Sequence, residues 1–279
     1  GGIPVSGVFG GSMFNVAVSL GRTSLQCAFA GFYADDHIGL QSKLYLDSNG
    51  VDTSFFSCKS QAKSNLALAF LNEQGIPQYS FYRDPKLLDI PKINDFKGVS
   101  HLVIGSFFVL DTLVFQGVKR IVEMAKRANV QILYDPNIRQ RQVHKDSMIL
   151  ERVVFFMRMA DLVKMSDEDI TSISSFDSKE GWQHFLKGID VKRYIITQGS
   201  DSVLGFANDI TKFFNVEPVN VQSTVGAGDA FNAGLVYASV KHNVGLGDLD
   251  RIISNGIRFA ADVCASDENY ISKEFIQIL

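Results

Sequence analysis

From His101 onward, short apolar runs alternate with longer stretches at helical spacing, and this rhythm limits the fold more than any other feature of the chain. His101 to Ile104, Val130 to Tyr134, Leu162 to Met165 and Arg193 to Thr197 read as strands, with helices near 112–129, 145–158 and 167–187 between them. A β-rich stretch spans about 202–221, and two helices near 227–242 and 248–265 close the chain. Strands separated by helices pair in parallel through crossovers packed on the sheet faces. The expectation is therefore an α/β fold with a doubly wound, mostly parallel sheet. Ligands on such sheets bind beyond the carboxyl ends of the strands. Three polar clusters lie there: Asp135 to Asn137, Ser166 to Asp169, and Thr197 to Gly199.

The first third has another character. Val5 to Phe9 is expected as a short strand, and Met13, Val16, Ala17 and Leu20 recur at helical spacing. Asn49-Gly50 marks a turn. Between 52 and 84, Phe55-Phe56, Asn65 to Leu71 and Gln78 to Tyr82 read as strands, with Asn72-Glu73-Gln74-Gly75 as a hairpin turn. This insert reads as a small sheet attached to a larger body.

With 279 residues, the chain accommodates one large α/β domain with such an appendage. A formal net charge of −3 gives no basic field toward nucleic acid or anionic lipid, so an anionic ligand needs a local site. Cys27, Cys58 and Cys264 match neither a CxxC pair nor a zinc spacing, which favours a reduced, cytoplasmic setting. Asp111, Gly105 and Gly117 interrupt the apolar stretch Leu102 to Val118, which suits a strand and helix better than a membrane span. No signal peptide opens the sequence, which starts at Gly1-Gly2 without Met, so the natural start is expected to be missing.

Gly226-Ala227-Gly228-Asp229 carries the strongest chemical signal. It opens a helix that is apolar on nearly every side (Ala230, Phe231, Ala233, Leu235, Val236, Ala238, Val240) and is therefore expected to be buried. A buried helix start leaves amide N–H groups without intrahelical partners, and the two glycines keep them uncovered. Free amides and the helix dipole together make an anion site. A carboxylate beside such a hole is placed to take a proton from a nucleophilic hydroxyl, the arrangement phosphoryl transfer needs. The same residues also suit a plain helix start, where Asp is stabilising and Gly permits close packing.

The stretch STVGAGDAFNAG resembles the C-terminal signature of the PfkB, ribokinase-like family of carbohydrate kinases. Gly10-Gly11-Ser12-Met13-Phe14-Asn15-Val16-Ala17, followed by Gly31 to Gly39, resembles the family's N-terminal signature. Asp135-Pro136-Asn137-Ile138-Arg139 and Asn269-Tyr270 look like fructokinase-type members, and the likeness spans essentially the whole chain. Two separated signatures in the expected order are far more specific than either alone.

The resemblance implies a ribokinase-like α/β/α sandwich in one domain, 1–279, with a β-lid from about 1–10 and 52–84. It implies an ATP-dependent sugar kinase using Mg2+, with Asp229 as catalytic base and Gly226, Ala227 and Gly228 as the anion hole. Gly10, Gly11, Asn15 and Arg139 would bind the sugar or its phosphoryl group. Asn137, Thr197, Gly199 and Asn255 would face the nucleotide, and Asp135 and Asp169 the metal. Asn15 could instead cap or pack a helix, Arg139 form a surface ion pair, Thr197 and Gly199 a turn, and Asn255 be solvated. Sugar and ATP are the partners implied, with no nucleic acid or membrane, and a homodimer through the lid.

Three departures stand out. Ser166 and Asp169 occupy the places of the family's Asn-x-x-Glu pattern, and Ser223 stands where Asp often precedes the anion hole, which weakens the case for a monovalent-cation site. The sequence also begins beyond the family's opening strand with its sugar-holding Asp. Fructose is the favoured acceptor, since Gly10 to Asn15 and Tyr79-Ser80-Phe81-Tyr82-Arg83-Asp84 look fructokinase-like; 2-keto-3-deoxygluconate, ribose and nucleosides stay open. A non-catalytic sugar sensor on the same fold is the reading from another class. A dinucleotide-binding motif fails because Phe231 stands where the third Gly is needed.

Overall fold

A computed structural model of the chain describes residues 6–71, 77–138 and 147–279. Its strands are β1 (Cys27–Ala28), β2 (Gly31–Ala34), β3 (Val51–Asp52), β4 (Phe56–Lys59), β5 (Leu66–Leu71), β6 (Pro77–Tyr82), β7 (His101–Gly105), β8 (Gln131–Asp135), β9 (Leu162–Ser166), β10 (Tyr194–Gln198), β11 (Ser202–Ala207) and β12 (Ile210–Asn215). Its helices are α1 (Ser12–Arg22), α2 (His37–Ser48), α3 (Phe115–Arg127), α4 (Ser147–Met159), α5 (Asp167–Ser174), α6 (Lys179–Gly188), α7 (Ala227–Lys241), α8 (Leu249–Cys264) and the single turn α9 (Lys273–Ile276).

The central sheet runs β12-β11-β10-β9-β8-β7. β7 to β10 are parallel, and β11 and β12 add antiparallel strands at one edge. Successive strand side chains point to opposite faces, and the core is sorted accordingly. Ile132, Tyr134, Val163, Met165 and Ile196 pack on one face with Val122 of α3, Phe156 of α4, Ile170 of α5 and Leu186 of α6. Leu133, Leu162, Ile195 and Val203 pack on the other with Val16 of α1, residues of α7 and Ile252 of α8. Helices thus cover both faces, as the strand–helix rhythm requires.

α7 is buried from Asp229 to Ser239. Gly234 lets it approach α8 closely: a Cβ there would meet the backbone oxygen of Asn255 at 2.6 Å.

The front of the chain differs from expectation. Residues 6–9 form no strand, and Val5 lies outside the described residues. The 52–84 segment contributes to three two-stranded pairs, β1 with β3, β2 with β4, and the hairpin β5–β6; its turn at 72–75 is outside the described residues. α2 and the short strands β1 and β2 gave little periodic signal. The 167–187 stretch is two helices, because Ser175 adopts a left-handed φ of 60° that ends α5. Residues 216–221 extend beyond the last strand as irregular chain.

Candidate active site

Gly226 sits ahead of α7 with φ +87°, a left-handed conformation, and a Cβ on it would overlap the carbonyl oxygen of Asn269. Only glycine fits both constraints. The N–H of Ala227 bonds Thr224 O at 3.3 Å and that of Ala230 bonds Gly226 O at 2.8 Å. Among the described residues, the N–H groups of Gly226, Gly228 and Asp229 meet no acceptor. Three unspent amides at the positive end of a helix are a ready receiver for an anion.

Asp229, 8% exposed, projects from this turn. The Ser12 hydroxyl donates to its Oδ1 at 2.6 Å, and Asn15 Nδ2 donates to its Oδ2 at 2.8 Å. Burial pushes its pKa from 3.8 up to about 6; the bonds from Ser12 and Asn15 oppose the rise, Asp135 adds to it and Lys164 offsets part. A carboxyl with such a pKa can exchange a proton near neutral pH. Asn15 is buried and its Oδ1 has no hydrogen-bond partner, an orphan acceptor next to Gly10.

A second buried cluster adjoins it. Asp135, at the end of β8, accepts from Asn137 N (3.1 Å) on Oδ1 and from Lys164 Nζ (3.1 Å) and Asn232 Nδ2 (2.6 Å) on Oδ2. Asp169 accepts from Ile138 N (2.7 Å) on Oδ1, and from Ser166 N (2.9 Å) and Oγ (2.7 Å) on Oδ2. Ser166 and Asp169 thereby form a capping box for α5, in which each side chain bonds the other's backbone N–H. Burial raises the Asp169 pKa, Asp135 adds to the rise, and the Ser166 bonds and Lys164 oppose it.

The structure unites most of the residues marked by sequence. Gly10 lies beside Asn15 and Asn269, Gly11 starts α1 with φ +123°, and Asn137 Nδ2 reaches the Ser12 hydroxyl at 3.5 Å. Thr197 is the penultimate residue of β10, its hydroxyl near Met165 O at 3.4 Å, and Gly199 comes just after the strand with φ +54° and open space around it. Asn255 lies in α8, its amide bonded to Arg251 O of its own helix at 3.0 Å. Arg139 is outside the described residues. A surface hollow lined by Asn208, Lys212, Asp248 and Asp250 contains none of the residues marked by sequence.

Four participants went without a role at the level of sequence: Ser12, Lys164, Asn232 and Asn269. Two carried a usable signal. Lys164 is the one charged residue within the strand Leu162–Ser166, and Asn232 follows Asp229 by one helical turn.

A doubly wound sheet carrying an unpaired helix start, and a tuned carboxylate beside it, defines a phosphoryl-transfer enzyme of the ribokinase-like class. The sequence pattern of the pfkB family carbohydrate kinase matches residues 5–269, and the chain belongs to that family. It is an ATP-dependent sugar kinase. Fructokinase of Vibrio alginolyticus is 28% identical over 240 residues, covering 84% of this chain and 77% of that protein. Aminoimidazole riboside kinase of Salmonella typhimurium strain LT2 is 24% identical, covering 84% and 74%. The crystal structure of fructokinase from Vibrio cholerae O395 with fructose, ADP and calcium ion shares the fold at a TM-score of 0.81 and 18% identity, covering 96% of this chain and 90% of that one. Among the described residues, no helix is long and apolar enough to cross a membrane.

Proposed function

We propose that this chain transfers the γ-phosphoryl group of ATP to a hydroxyl of fructose. The observation that carries this reading is the pairing of Asp229 with the three unspent amides at Gly226, Gly228 and Asp229. Asp229 accepts the proton of the acceptor hydroxyl as the oxygen attacks phosphorus, and the amides stabilise the charge on the transferring group. Gly10, Gly11 and the orphan Oδ1 of Asn15 face the sugar, the last able to accept from a sugar hydroxyl. Asn137, Thr197 and Gly199 border the nucleotide, and Arg139 is proposed for the phosphoryl group. Asn255 is proposed on the nucleotide side, with its Nδ2 engaged by Arg251 O within α8.

Every carboxylate oxygen of Asp135 and Asp169 already accepts a protein hydrogen bond. The described residues also hold no group of three or more His, Cys, Asp or Glu side chains suited to a metal. A carboxylate oxygen has two lone pairs, so these bonds leave room for the water of a hydrated cation, and Asp135 and Asp169 are proposed to hold the magnesium of ATP through water.

Fructose is favoured by the fructokinase-like Gly10 to Asn15 segment and by a fructokinase among the relatives. In the hairpin β5–β6, Leu66 and Tyr82 stand opposite one another, 42% and 58% exposed. A homodimer through this lid is proposed on that apolar surface, and the elution volume on size exclusion tests it.

A coupled ADP-release assay with magnesium-ATP against fructose, ribose, 2-keto-3-deoxygluconate, tagatose and adenosine tests the reaction. Turnover highest on fructose and lost in Asp229→Asn supports the reading. Preference for another acceptor overturns the substrate assignment alone, and no turnover on any, with ATP bound, overturns fructose as the acceptor and favours one outside this panel or the sugar-sensor reading.

A further inference from the structure

Lys164 is 4% exposed, yet it lies on a central strand of the sheet. Side chains alternate along β9: Val163 and Met165 pack on the face of α3 to α6, whereas Leu162 packs on the face of α1, α7 and α8. Lys164 therefore projects to the α7 side, as does Asp135 two residues beyond Leu133 on the neighbouring strand. Burial works against its charge, but the carboxylates of Asp135, Asp169 and Asp229 outweigh that and hold the ammonium protonated.

An ammonium has three N–H donors. Among the described residues, Asp135 Oδ2 is the one hydrogen-bond acceptor Lys164 has. A buried cation with unspent donors is costly, and native structures rarely keep one without a use. Gly228 shows where those donors lie: a Cβ on it would stand 3.1 Å from Lys164 Nζ, the nearest atom to it. The exposed first turn of α7 is thus open at Gly228 directly over the ammonium. A side chain would plug that gap, so glycine at 228 does more than uncover an amide.

Resting on the kinase reading of this site, we propose that Lys164 forms the cationic floor of the anion hole and donates through the gap at Gly228 to a phosphate oxygen of the bound nucleoside triphosphate. The amides approach the phosphate from the helix and Lys164 from the sheet. Asp135 and Asn232 then serve to hold the ammonium in place, which accounts for a carboxylate whose oxygens are all engaged by protein. A buried counter-ion for Asp135, with no part in ligand binding, is the competing role.

The test compares thermal stabilisation by ATP and by adenosine, which lacks phosphates, in wild type, Lys164→Met, Gly228→Ala and the double variant. It needs no turnover, so it is separate from the identity of the sugar. Loss of a charge-assisted bond should weaken ATP about 10- to 100-fold in Lys164→Met while leaving adenosine within about twofold. Gly228→Ala should weaken ATP in wild type and add little in Lys164→Met, because both changes remove one contact. If Lys164→Met does not fold, Asp135→Asn is compared with Asp135→Asn/Lys164→Met. Equal ATP stabilisation with and without Lys164 would reduce it to a counter-ion and overturn the proposal, as would full additivity with Gly228→Ala. A wild type that ATP does not stabilise at all overturns this proposal and the kinase reading together.

Discussion

Asn15 Nδ2 and Asp229 Oδ2 lie 2.8 Å apart although 214 positions separate them in the chain. This bond, with that from Ser12, joins the glycine-led start of α1 to the glycine-led start of α7, so the two sequence signatures are halves of one site. Replacing the proposed base while keeping its shape isolates its chemistry. Asp229→Asn should lower kcat by about 10²- to 10⁴-fold, the usual range for a general base. Stabilisation by ATP should be retained, and a thermal-shift titration beside the coupled assay checks both.

The raised pKa of Asp229 gives a pH signature. The base acts when deprotonated, so kcat/KM for the sugar should be level above pH 7 and fall about tenfold per unit below an apparent pKa of about 6. An acid limb near 4 in a pH–rate profile would show that burial does not govern this carboxyl.

The same shift predicts a stability cost. Unfolded, the carboxyl titrates near 3.8, and folded near 6, so the native state holds the proton more tightly. Stability contributed by this group is highest below pH 4, declines as pH rises toward 6, and stays low above it. The two-unit shift corresponds to roughly 3 kcal/mol for a group this buried. Asp229→Asn should therefore be more stable than wild type at pH 7.5 and similar to it at pH 4, as measured by urea unfolding at the two pH values.

Ser12 donates to Asp229, and through it is predicted to act on the proposed reaction. Ser12→Ala removes the donor on Oδ1, a bond that lowers the pKa, so the acid limb should move upward. We expect kcat to fall about 5- to 50-fold at pH 7, with partial recovery at pH 8.5. Ser12→Thr, which keeps the hydroxyl, should remain closer to wild type. A merely structural loss would leave the limb where it is.

How much of this was legible beforehand depended on how local the cause was. The parallel sheet was readable because buried parallel strands and their helices carry strong periodicity, and the start of α7 because glycines and an Asp before an apolar helix leave few other readings. Ser12 and Asn269 owe their places to contacts between ends of the chain that no window of sequence contains. Asp169 shows a different limit. Ser166 and Asp169 stand at capping-box spacing, and α5 uses them as such, an ordinary local function that competes with any ligand role. β1 and β3 have two residues each, too few for periodicity to register.

Gly226→Ala tests the tightest local fit. Its φ of +87° and the overlap of a Cβ with Asn269 O act together, so the variant should lose about 2–4 kcal/mol in denaturant unfolding and lose activity with it. Substitution at Gly199, also of positive φ but with open space, should cost about 1 kcal/mol.

The packing of Asn269 against Gly226, with its side chain beside Gly10, has a consequence in time. During synthesis, α1 leaves the ribosome early and α7 late, and neither signature is complete until the segment around residue 269 has also emerged. At about 5–20 residues per second, roughly ten seconds or more separate the making of α1 from that of the segment around residue 269. The bond between Asn15 and Asp229 therefore forms late in synthesis, after both glycine-led helix starts and the segment around residue 269 have been made.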